Sequence, residues 1–257
     1  MVMEMGNKVA LVTGGGTGIG KTIAITLAKA GYDIAVTYYG SAAGAAEVCK
    51  TAENMGRRAA AFRANLGSYD EIISVFERLN KEFGRLDVFV NNAGLTEKAA
   101  FLDTTEEMFD QVCKLDYKGA FFCVQQAAKR MIASDAKGSI ILISSNNAFA
   151  HFADVSVYGS VKAAVVKLAE HAAIELARYG IRVNTIAPGW TDTGASRLDA
   201  KEDTYYKIPL KKWANPQEIA DAAVFLSSPS AASMTGTTMV IDNGALLVSD
   251  KRERYGY

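Results

Sequence analysis

Cysteine and histidine are scarce in this chain of 257 residues, which has three cysteines and two histidines. Cys49, Cys113 and Cys123 are odd in number and lack Cys-x-x-Cys spacing. This argues against a disulfide framework and predicts a reducing compartment, the cytoplasm. Because His151 and His171 are too few to build a histidine-rich metal centre, we expect no metal cofactor.

An excess of either charge is also missing, because 28 basic side chains balance 28 acidic ones. Proteins that bind nucleic acid or anionic membranes usually carry a basic surplus, so neither is predicted as a partner. The sequence has no apolar run long enough to span a bilayer, and its N-terminus lacks the pattern of a signal peptide. We expect a small-molecule partner instead.

Apolar residues are abundant, at 49% of the chain, and short β-type runs alternate with helical patterns. Such alternation predicts an α/β fold, with a parallel sheet covered by helices on both faces. No linker divides the pattern, so residues 1–257 are predicted to form one domain. The predicted strands are Lys8–Thr13, Asp33–Thr37, Ala59–Arg63, Leu86–Val90, Ser139–Ser144, Ile181–Ile186 and Thr237–Asp242. The predicted helices include Tyr69–Phe83, Glu106–Ile132 and Val155–Tyr179.

A glycine-rich turn follows the first predicted strand and leads directly into a helix. It spans Thr13–Gly20 and reads TGGGTGIG, which is G-x-x-x-G-x-G spacing. Glycines allow positive φ and let the backbone approach a ligand, while the helix N-terminus that follows attracts phosphate. A tight turn without a ligand is the alternative, but the strand–turn–helix setting favours the diphosphate of a dinucleotide.

The end of the second predicted strand bears on which nucleotide is bound. An acidic residue there would bind the ribose hydroxyls and repel a 2′-phosphate, but residues Val36–Ser41 include none. The hydroxyls of Tyr38, Tyr39 and Ser41 could bind a phosphate, although no arginine stands among them and Thr17 occupies a position suited to a basic residue. We predict NADP(H) in preference to NAD(H); the alternative is a merely polar strand end.

Tyr158 and Lys162 lie four residues apart in a predicted long helix and therefore share one of its faces. A phenol is a poor base at neutral pH, because its reference pKa is about 10, and a nearby ammonium favours the phenolate. Such a pair could exchange a proton with a substrate oxygen while hydride moves at carbon. Ser145, at the end of the fifth strand, could polarise a substrate carbonyl; Ser144 competes, but alternation and spacing favour Ser145.

Taken together, these motifs resemble the short-chain dehydrogenase/reductase family over roughly residues 8–244. The resemblance rests on Thr13–Gly20, Asn91–Gly94, Ser145, Tyr158, Lys162 and Pro188–Thr193. It implies a Rossmann-type, doubly wound parallel sheet of about seven strands in a three-layer α/β/α arrangement, and usually a homotetramer. It also implies an oxidoreductase that acts on CH–OH groups.

The resemblance also implies positions for the cofactor along the crevice. Lys162 would contact the nicotinamide ribose. Thr191 and Thr193 would hold the carboxamide and diphosphate end of the cofactor, and Asn92–Gly94 would line the part of the crevice that takes the adenosine ribose. The predicted cofactor-binding residues are Gly14, Thr17, Gly18, Ile19, Gly20, Tyr38, Tyr39, Ser41, Asn65, Leu66, Asn92, Ala93, Gly94, Tyr158, Lys162, Pro188, Gly189, Thr191 and Thr193.

Two positions depart from the family pattern. Asn65 stands where the family commonly has an Asp beside the adenine, and its amide oxygen can still accept a hydrogen bond. Asp116 stands where the family has a fourth catalytic residue, an Asn that helps to hold a water near the catalytic Lys. A carboxylate there should raise the pKa of Lys162 and weaken its pull on Tyr158. The alternative is that only the backbone carbonyl matters at this position; we retain Asp116 among the catalytic candidates.

Residues on both sides of the predicted catalytic helix and strand form the candidate substrate side. Its aromatic members could form an apolar wall around a bulky substrate, or they could simply pack in the core. The sequence leaves both alternatives open. The predicted substrate residues are Ser145, Asn147, Phe149, His151, Phe152, Tyr158 and Trp190. The resemblance implies a lid at about 191–213, and the charged tail 245–257 is predicted at the surface or in a subunit contact.

The predicted function is hydride transfer between NADP(H) and a ketone or secondary alcohol by a Ser–Tyr–Lys mechanism. Ser145 would polarise the carbonyl, Tyr158 transfer the proton and Lys162 tune Tyr158. A hydroxysteroid, a sugar or polyol, or another bulky carbonyl compound remains open as substrate. A 3-oxoacyl group ranks lower, because no basic patch marks a docking face for an acyl carrier. A non-catalytic dinucleotide sensor or scaffold is the alternative from another class, against which the complete Ser–Tyr–Lys set counts.

Overall fold

Seven parallel strands form one sheet in the computed structural model, which describes residues 8–194 and 208–247. The order β3-β2-β1-β4-β5-β6-β7 grows outward from β1 in one direction and from β4 in the other. It confirms the predicted doubly wound, Rossmann-type sheet. The strands are β1 (Val9–Val12), β2 (Asp33–Tyr38), β3 (Ala59–Arg63), β4 (Val88–Asn91), β5 (Ser139–Ile143), β6 (Arg182–Pro188) and β7 (Thr238–Ile241).

Helices pack on both faces of this sheet and give the predicted three layers. Local signals fix several of their ends: α3 stops at Gly84, which is left-handed with φ 74°, and α7 begins at a capping box on Asn215 followed by a proline. Within the described residues the α-helices are α1 (Gly18–Lys29), α2 (Ala42–Asn54), α3 (Tyr69–Phe83), α4 (Glu106–Val112), α5 (Ala120–Ala133), α6 (Ser156–Leu176) and α7 (Pro216–Ser227).

The core is divided by the sheet into two apolar layers, because neighbouring residues of a strand point to opposite faces. In β1, Leu11 packs in one layer and Val12 in the other. In β5, Leu142 and Ile141 divide in the same way. Helices α3, α5 and α6 cover the first layer, and α1, α2 and α7 the second. Such burial on both faces explains why the strands are continuous apolar runs.

The prediction of one continuous α-helix at Glu106–Ile132 is wrong, because a π-helical turn at Cys113–Gly119 separates α4 from α5. A wider turn of this kind accommodates an extra residue, which hydrophobic periodicity does not register. At its end, Gly119 passes so close to the carbonyl oxygen of Leu66 that a Cβ there would lie 2.5 Å from it. The turn carries Asp116 into the interior, where it is 1% exposed.

The predicted end of the next long helix is also corrected, because α6 stops at Leu176 and a 3₁₀ turn, Ala177–Tyr179, completes the segment. None of the described helices has the length and apolarity needed to cross a bilayer. The predicted lid 191–213 includes residues 195–207, and the predicted tail 245–257 includes residues 248–257. Both stretches lie outside the described residues.

Candidate active site

The glycine turn connects β1 to α1 at the centre of the sheet, where the strand order reverses. Gly14 and Gly18 are left-handed, with φ of 63° and 52°, which explains why glycine is needed at both positions. A Cβ on Gly20 would collide with the carbonyl oxygen of Gly14. Thr17 precedes α1 without capping it through its side chain, so the first N–H groups of the helix face the crevice uncapped.

Side-chain hydrogen bonds join this turn to the end of β4. Thr13 Oγ1 accepts hydrogen bonds from the backbone nitrogens of Asn92, at 2.9 Å, and Ala93, at 3.0 Å. In return, Asn92 Nδ2 donates to the carbonyl oxygens of Thr13, at 2.9 Å, and Gly14, at 3.3 Å. Thr37 Oγ1 accepts from Gly14 N at 3.2 Å. Thr13 and Asn92 therefore hold the glycine turn to the end of β4, and Thr37 holds the turn to β2. The predicted residue set included neither Thr13 nor Thr37.

A cleft of about 1320 Å³ opens along the carboxyl ends of the strands. Among the predicted cofactor residues, those that line it are Gly14, Thr17, Gly18, Ile19, Gly20, Tyr38, Tyr39, Asn65, Leu66, Asn92, Ala93, Gly94 and Thr193. Its lining also includes Thr37, Ala64, Gly67, Ser68, Leu95, Thr96, Gln111, Lys114 and Leu115, which the prediction did not include. Outside this lining lie Ser41, Tyr158, Lys162, Pro188, Gly189 and Thr191.

The end of the cleft formed by β2 and β3 combines aromatic and amide groups. Tyr39 is 63% exposed, and Tyr38 ends β2 beside it. Asn65 Oδ1 accepts a hydrogen bond from Gly67 N at 3.0 Å, so part of its acceptor capacity is used within its own turn. Ser41 precedes α2 without a side-chain cap bond, and its hydroxyl lies against the glycine turn. The region therefore presents hydroxyl and amide groups to a ligand.

Tyr158 and Lys162 lie on one face of α6, as the four-residue spacing predicts. Lys162 Nζ is 5.4 Å from the centroid of the Tyr158 ring. The lysine is buried, whereas the tyrosine is partly exposed, so an ammonium lies behind a phenol that solvent or substrate can reach. This arrangement can stabilise a phenolate.

Asp116 forms a buried ion pair with the same lysine. Its Oδ2 is 3.0 Å from Lys162 Nζ, and the two side chains are 0% and 7% exposed. Asp116 Oδ1 accepts a hydrogen bond from Leu95 N at 2.8 Å, and Lys162 Nζ donates to the carbonyl oxygen of Ile143 at 3.4 Å. A Cβ on Gly94 would lie 2.7 Å from Asp116 Oδ2, so only glycine fits beside the pair.

Two opposing effects act on the pKa of Lys162. Burial lowers it, but the negative charge of Asp116, the nearby Tyr158 and the direct contact with Asp116 together raise the pKa above the ordinary lysine value. The direction agrees with the expectation that a carboxylate at position 116 would strengthen the protonated form. The buried ion pair therefore favours the charged form of Lys162.

Ser145 and Ser144 have different roles at the end of β5. Ser144 Oγ donates to the carbonyl oxygen of Lys162 at 2.8 Å and so fixes α6 to the end of β5. Ser145 Oγ accepts from Asn147 N at 3.2 Å and from Asn147 Nδ2 at 3.3 Å. Because both bonds occupy the lone pairs, the hydroxyl hydrogen of Ser145 stays available as a donor. Asn147, predicted to contact substrate, donates both of these bonds and so orients Ser145.

The loop after Ser145 lies against the start of α6. A Cβ on Gly159 would be 3.3 Å from the carbonyl oxygen of Asn147, so the serine loop and the first turns of α6 are in contact. Ser145 and Tyr158 are therefore brought to one loop–helix contact rather than into a direct hydrogen bond.

Two of the predicted substrate aromatics pack together. Phe152 and Trp190 make an edge-to-face contact with ring centroids 5.3 Å apart, and both are partly exposed. Phe149 is 47% exposed and His151 is also exposed. Apolar surface is thus present beside the serine loop.

In the Pro-Gly segment at the end of β6, some residues make structural contacts and another lines the cleft. Pro188 ends β6, and Gly189 N donates to the carbonyl oxygen of Ile241 at 2.9 Å. Thr191 Oγ1 donates to the Gly189 carbonyl at 3.0 Å, whereas Thr193 reaches the cleft lining. Thr193 is therefore better placed for the cofactor than Thr191.

Comparison with known proteins adds a second line of argument. The family model described as enoyl-(acyl carrier protein) reductase matches residues 14–245. The 3-oxoacyl-[acyl-carrier-protein] reductase FabG of Staphylococcus epidermidis is 36% identical over 93% of this chain and 98% of its own length. The chain belongs to the short-chain dehydrogenase/reductase family.

Solved structures of this family superpose closely on the chain. The acetoin dehydrogenase of Enterobacter cloacae is 35% identical, with a TM-score of 0.89 over 96% of this chain and 99% of its own. A short-chain dehydrogenase of Burkholderia cenocepacia, solved in complex with NADP, is 33% identical, with a TM-score of 0.87 over 93% and 97% of the two chains. The family resemblance drawn from the motifs is confirmed, and this short-chain dehydrogenase/reductase is an oxidoreductase.

Proposed function

We propose that the chain transfers hydride between NADP(H) and a ketone or secondary alcohol. The observation that carries this proposal is the partly exposed phenol of Tyr158, with the buried ammonium of Lys162 5.4 Å from its ring centroid. A phenol supported in this way can exchange a proton with a substrate oxygen near neutral pH. The glycine cleft beside it offers uncapped helix N–H groups to a diphosphate.

Each catalytic side chain has one role in this proposal. For reduction, the Ser145 hydroxyl donates a hydrogen bond to the carbonyl oxygen, and Tyr158 delivers its phenolic proton to that oxygen. Bound reduced nicotinamide supplies the hydride that the carbonyl carbon receives. Lys162 stabilises the phenolate that remains, and the reverse sequence oxidises the alcohol.

Asp116 acts in this proposal as a positioning residue, because it reaches the reacting atoms only through Lys162. Its carboxylate joins the lysine to the loop after β4 through the Leu95 amide. The ion pair keeps Lys162 charged and also offsets part of the positive field at Tyr158.

The nucleotide proposed is NADP(H) rather than NAD(H). No carboxylate stands at the end of β2 to repel a 2′-phosphate, and three residues with hydroxyl groups, Tyr38, Tyr39 and Ser41, stand there in the sequence. The NADP complex of the Burkholderia cenocepacia relative supports the same choice.

The substrate proposed is a ketone or secondary alcohol that contacts the Phe152–Trp190 pair. The relatives act, by name, on acetoin and on 3-oxoacyl groups, which are both oxygenated at a carbonyl or carbinol carbon. We rank the free carbonyl compound above the acyl-carrier substrate, since no cluster of basic residues marks a docking face in the sequence.

A panel of substrates tests this proposal directly. Acetoin, an aldose, a hydroxysteroid and a 3-oxoacyl thioester would each be assayed with NADPH, NADH and their oxidised forms, by following the absorbance of reduced nicotinamide. Turnover of a ketone or secondary alcohol with NADPH is the expected result. Turnover confined to the acyl thioester, or to NADH, would contradict the proposal at the substrate or nucleotide level respectively.

We also propose that copies of the chain associate through the α5–α6 surface, which would supply one of the interfaces of the predicted homotetramer. A groove of about 310 Å³ lies there, lined by apolar side chains including Phe121 and Ile132 and by both Lys129 and Glu175. Apolar surface with charges of both signs suits a self-complementary contact. Phe121→Glu combined with Ile132→Glu should lower the mass measured by light scattering, while Leu102→Glu, at an exposed site outside the groove, should not.

One domain and a cytoplasmic location complete the proposal. All seven described strands share one sheet, which supports a single folding unit. Cys49, Cys113 and Cys123 are free thiols, which supports a reducing compartment.

A further inference from the structure

Arg63 is the last residue of β3 and ends at the same corner of the sheet as Tyr38 and Tyr39. In the parallel register Arg63 is opposite Tyr38, and the next residue, Ala64, donates its N–H to the Tyr38 carbonyl at 2.9 Å. The Arg63 guanidinium carbon lies 5.4 Å from the centroid of the Tyr39 ring. An arginine is therefore present at the end of β2, but it is contributed by the neighbouring strand.

The charge of Arg63 is not balanced by a neighbouring carboxylate within 8–194 and 208–247, where no ion pair to it is found. Arg58, just before the other end of the same strand, provides the contrast. It also lies over an aromatic ring, Phe83 at 4.9 Å, but it pairs with Glu82 at 3.7 Å. Of these two arginines, Arg63, at the carboxyl end of the strand, is the one without an ion-pair partner in the part of the chain that the structure describes.

Stacking on an aromatic ring fixes the plane of a guanidinium and leaves its N–H edge available. That edge matches a phosphate, which it can bind through two parallel charge-assisted hydrogen bonds. Tyr39 lines the cleft, and Ser41, whose side chain makes no cap bond to α2, has its hydroxyl close to Gly16 of the glycine turn. We infer that Arg63, stacked on Tyr39, binds the 2′-phosphate of NADP(H) and determines the preference for this nucleotide.

This inference rests on the proposed function, because it requires a dinucleotide in the glycine cleft. It replaces the expectation, drawn from neighbours in sequence, that no arginine serves this position. The side chain comes from β3 rather than from β2 or the glycine turn. The pairing of β3 with β2 is what brings it to the end of β2.

Calorimetric titration of the intact protein with NADP⁺ and NAD⁺ tests the inference without any substrate. Arg63→Ala should weaken NADP⁺ binding roughly ten- to one-hundred-fold, the usual effect of losing a charged hydrogen-bond donor. The same variant should change NAD⁺ binding by less than about threefold, because surface charges without a direct partner contribute little. Arg58→Ala is the matched control, since it removes an exposed arginine stacked on a ring away from the cleft.

Two further comparisons separate the phosphate contact from the ring platform. Adenosine 2′,5′-bisphosphate should bind the wild type more tightly than adenosine 5′-monophosphate, and Arg63→Ala should abolish the difference. Tyr39→Phe keeps the ring and should retain most of the preference, whereas Tyr39→Ala should reduce it. Affinity for the bisphosphate should also fall with salt more steeply in the wild type than in Arg63→Ala.

Equal losses of NADP⁺ and NAD⁺ affinity in Arg63→Ala would overturn the phosphate contact, as would a wild type that prefers NAD⁺. A wild type that binds neither nucleotide would instead contradict the proposed function itself. The two failures are therefore distinguishable in the same titration.

Discussion

The charged groups at the catalytic end of the crevice are buried, whereas those at the adenosine end are exposed. Lys162 and Asp116 form an ion pair almost without solvent contact, while Arg63 is exposed and stacks on Tyr39, which is itself 63% exposed. A buried ion pair loses several kcal/mol when one partner is removed, whereas an exposed charge can be exchanged at little cost to folding. With the roles proposed above, catalysis would be tied to stability at one end, and nucleotide choice would be separable from stability at the other.

The largest effect is expected from Tyr158→Phe, which removes the phenolic hydroxyl and keeps the ring. Turnover should fall roughly 10²- to 10⁴-fold, the usual contribution of a positioned acid or base, with little change in unfolding free energy. Binding of NADP⁺, measured by calorimetry, should stay within about threefold of the wild type. Full turnover in this variant would remove the tyrosine from the mechanism and favour a dinucleotide sensor.

Removing the carboxylate of Asp116 should affect folding more than any change at Arg63. Asp116→Ala leaves the buried charge of Lys162 uncompensated and should lower the free energy of unfolding by about 3–5 kcal/mol, measured by denaturant titration. The raised pKa of Lys162 determines the pH range over which the charged lysine contributes to stability. The contribution of the pair is complete below the ordinary lysine pKa of about 10.4 and is lost only as pH rises through the raised value. Arg63→Ala is the exposed counterpart and should change stability by less than about 1 kcal/mol.

Asn147→Ala should have a smaller effect, confined to the catalytic end. One of the two donors to Ser145 Oγ is lost while the backbone donor remains, so turnover should fall roughly three- to ten-fold. Asn147→Asp should be slower still, because a carboxylate would accept the serine hydrogen that the substrate needs. An Asp variant as active as the Ala variant would show that the side chain does not orient Ser145.

The smallest effect on activity is expected in Asp116→Asn, which also loses the charge of the ion pair and should therefore be less stable than the wild type. An amide keeps the size of the side chain but removes the charge that offsets Lys162, so the ammonium should stabilise the phenolate more strongly. The rise of alcohol oxidation with pH should therefore begin at a lower pH than in the wild type. An unchanged profile would mean that only the backbone at position 116 matters.

Much of the fold could be predicted because local signals agreed with tertiary packing. β3 and α3 begin and end where the sequence indicates, since apolar periodicity stops at a left-handed Gly84 after α3. The π-helical turn could not be predicted, because one inserted residue leaves the apolar spacing on each side intact.

In the candidate site, too, some contacts could be predicted from the sequence and others could not. The contact between Tyr158 and Lys162 follows from one helical turn, so four-residue spacing is sufficient to predict it. The position of Arg63 beside Tyr39 depends on the pairing of β2 with β3, which the sequence around either residue does not contain. The use of Ser144 to bind the Lys162 carbonyl likewise appears only once strand and helix are packed.

The wide helical turn at Cys113–Gly119 also sets the angular phase of everything after it. Each residue of an α-helix advances about 100° around the axis, so deleting one residue from this turn would rotate α5 by that amount relative to α4. Val124 and Met131, now fully inside, would swing toward solvent, and the carboxylate of Asp116 would leave the lysine. The added residue therefore couples the alignment of a core helix to the alignment of the reactive groups, and neither can be reset alone.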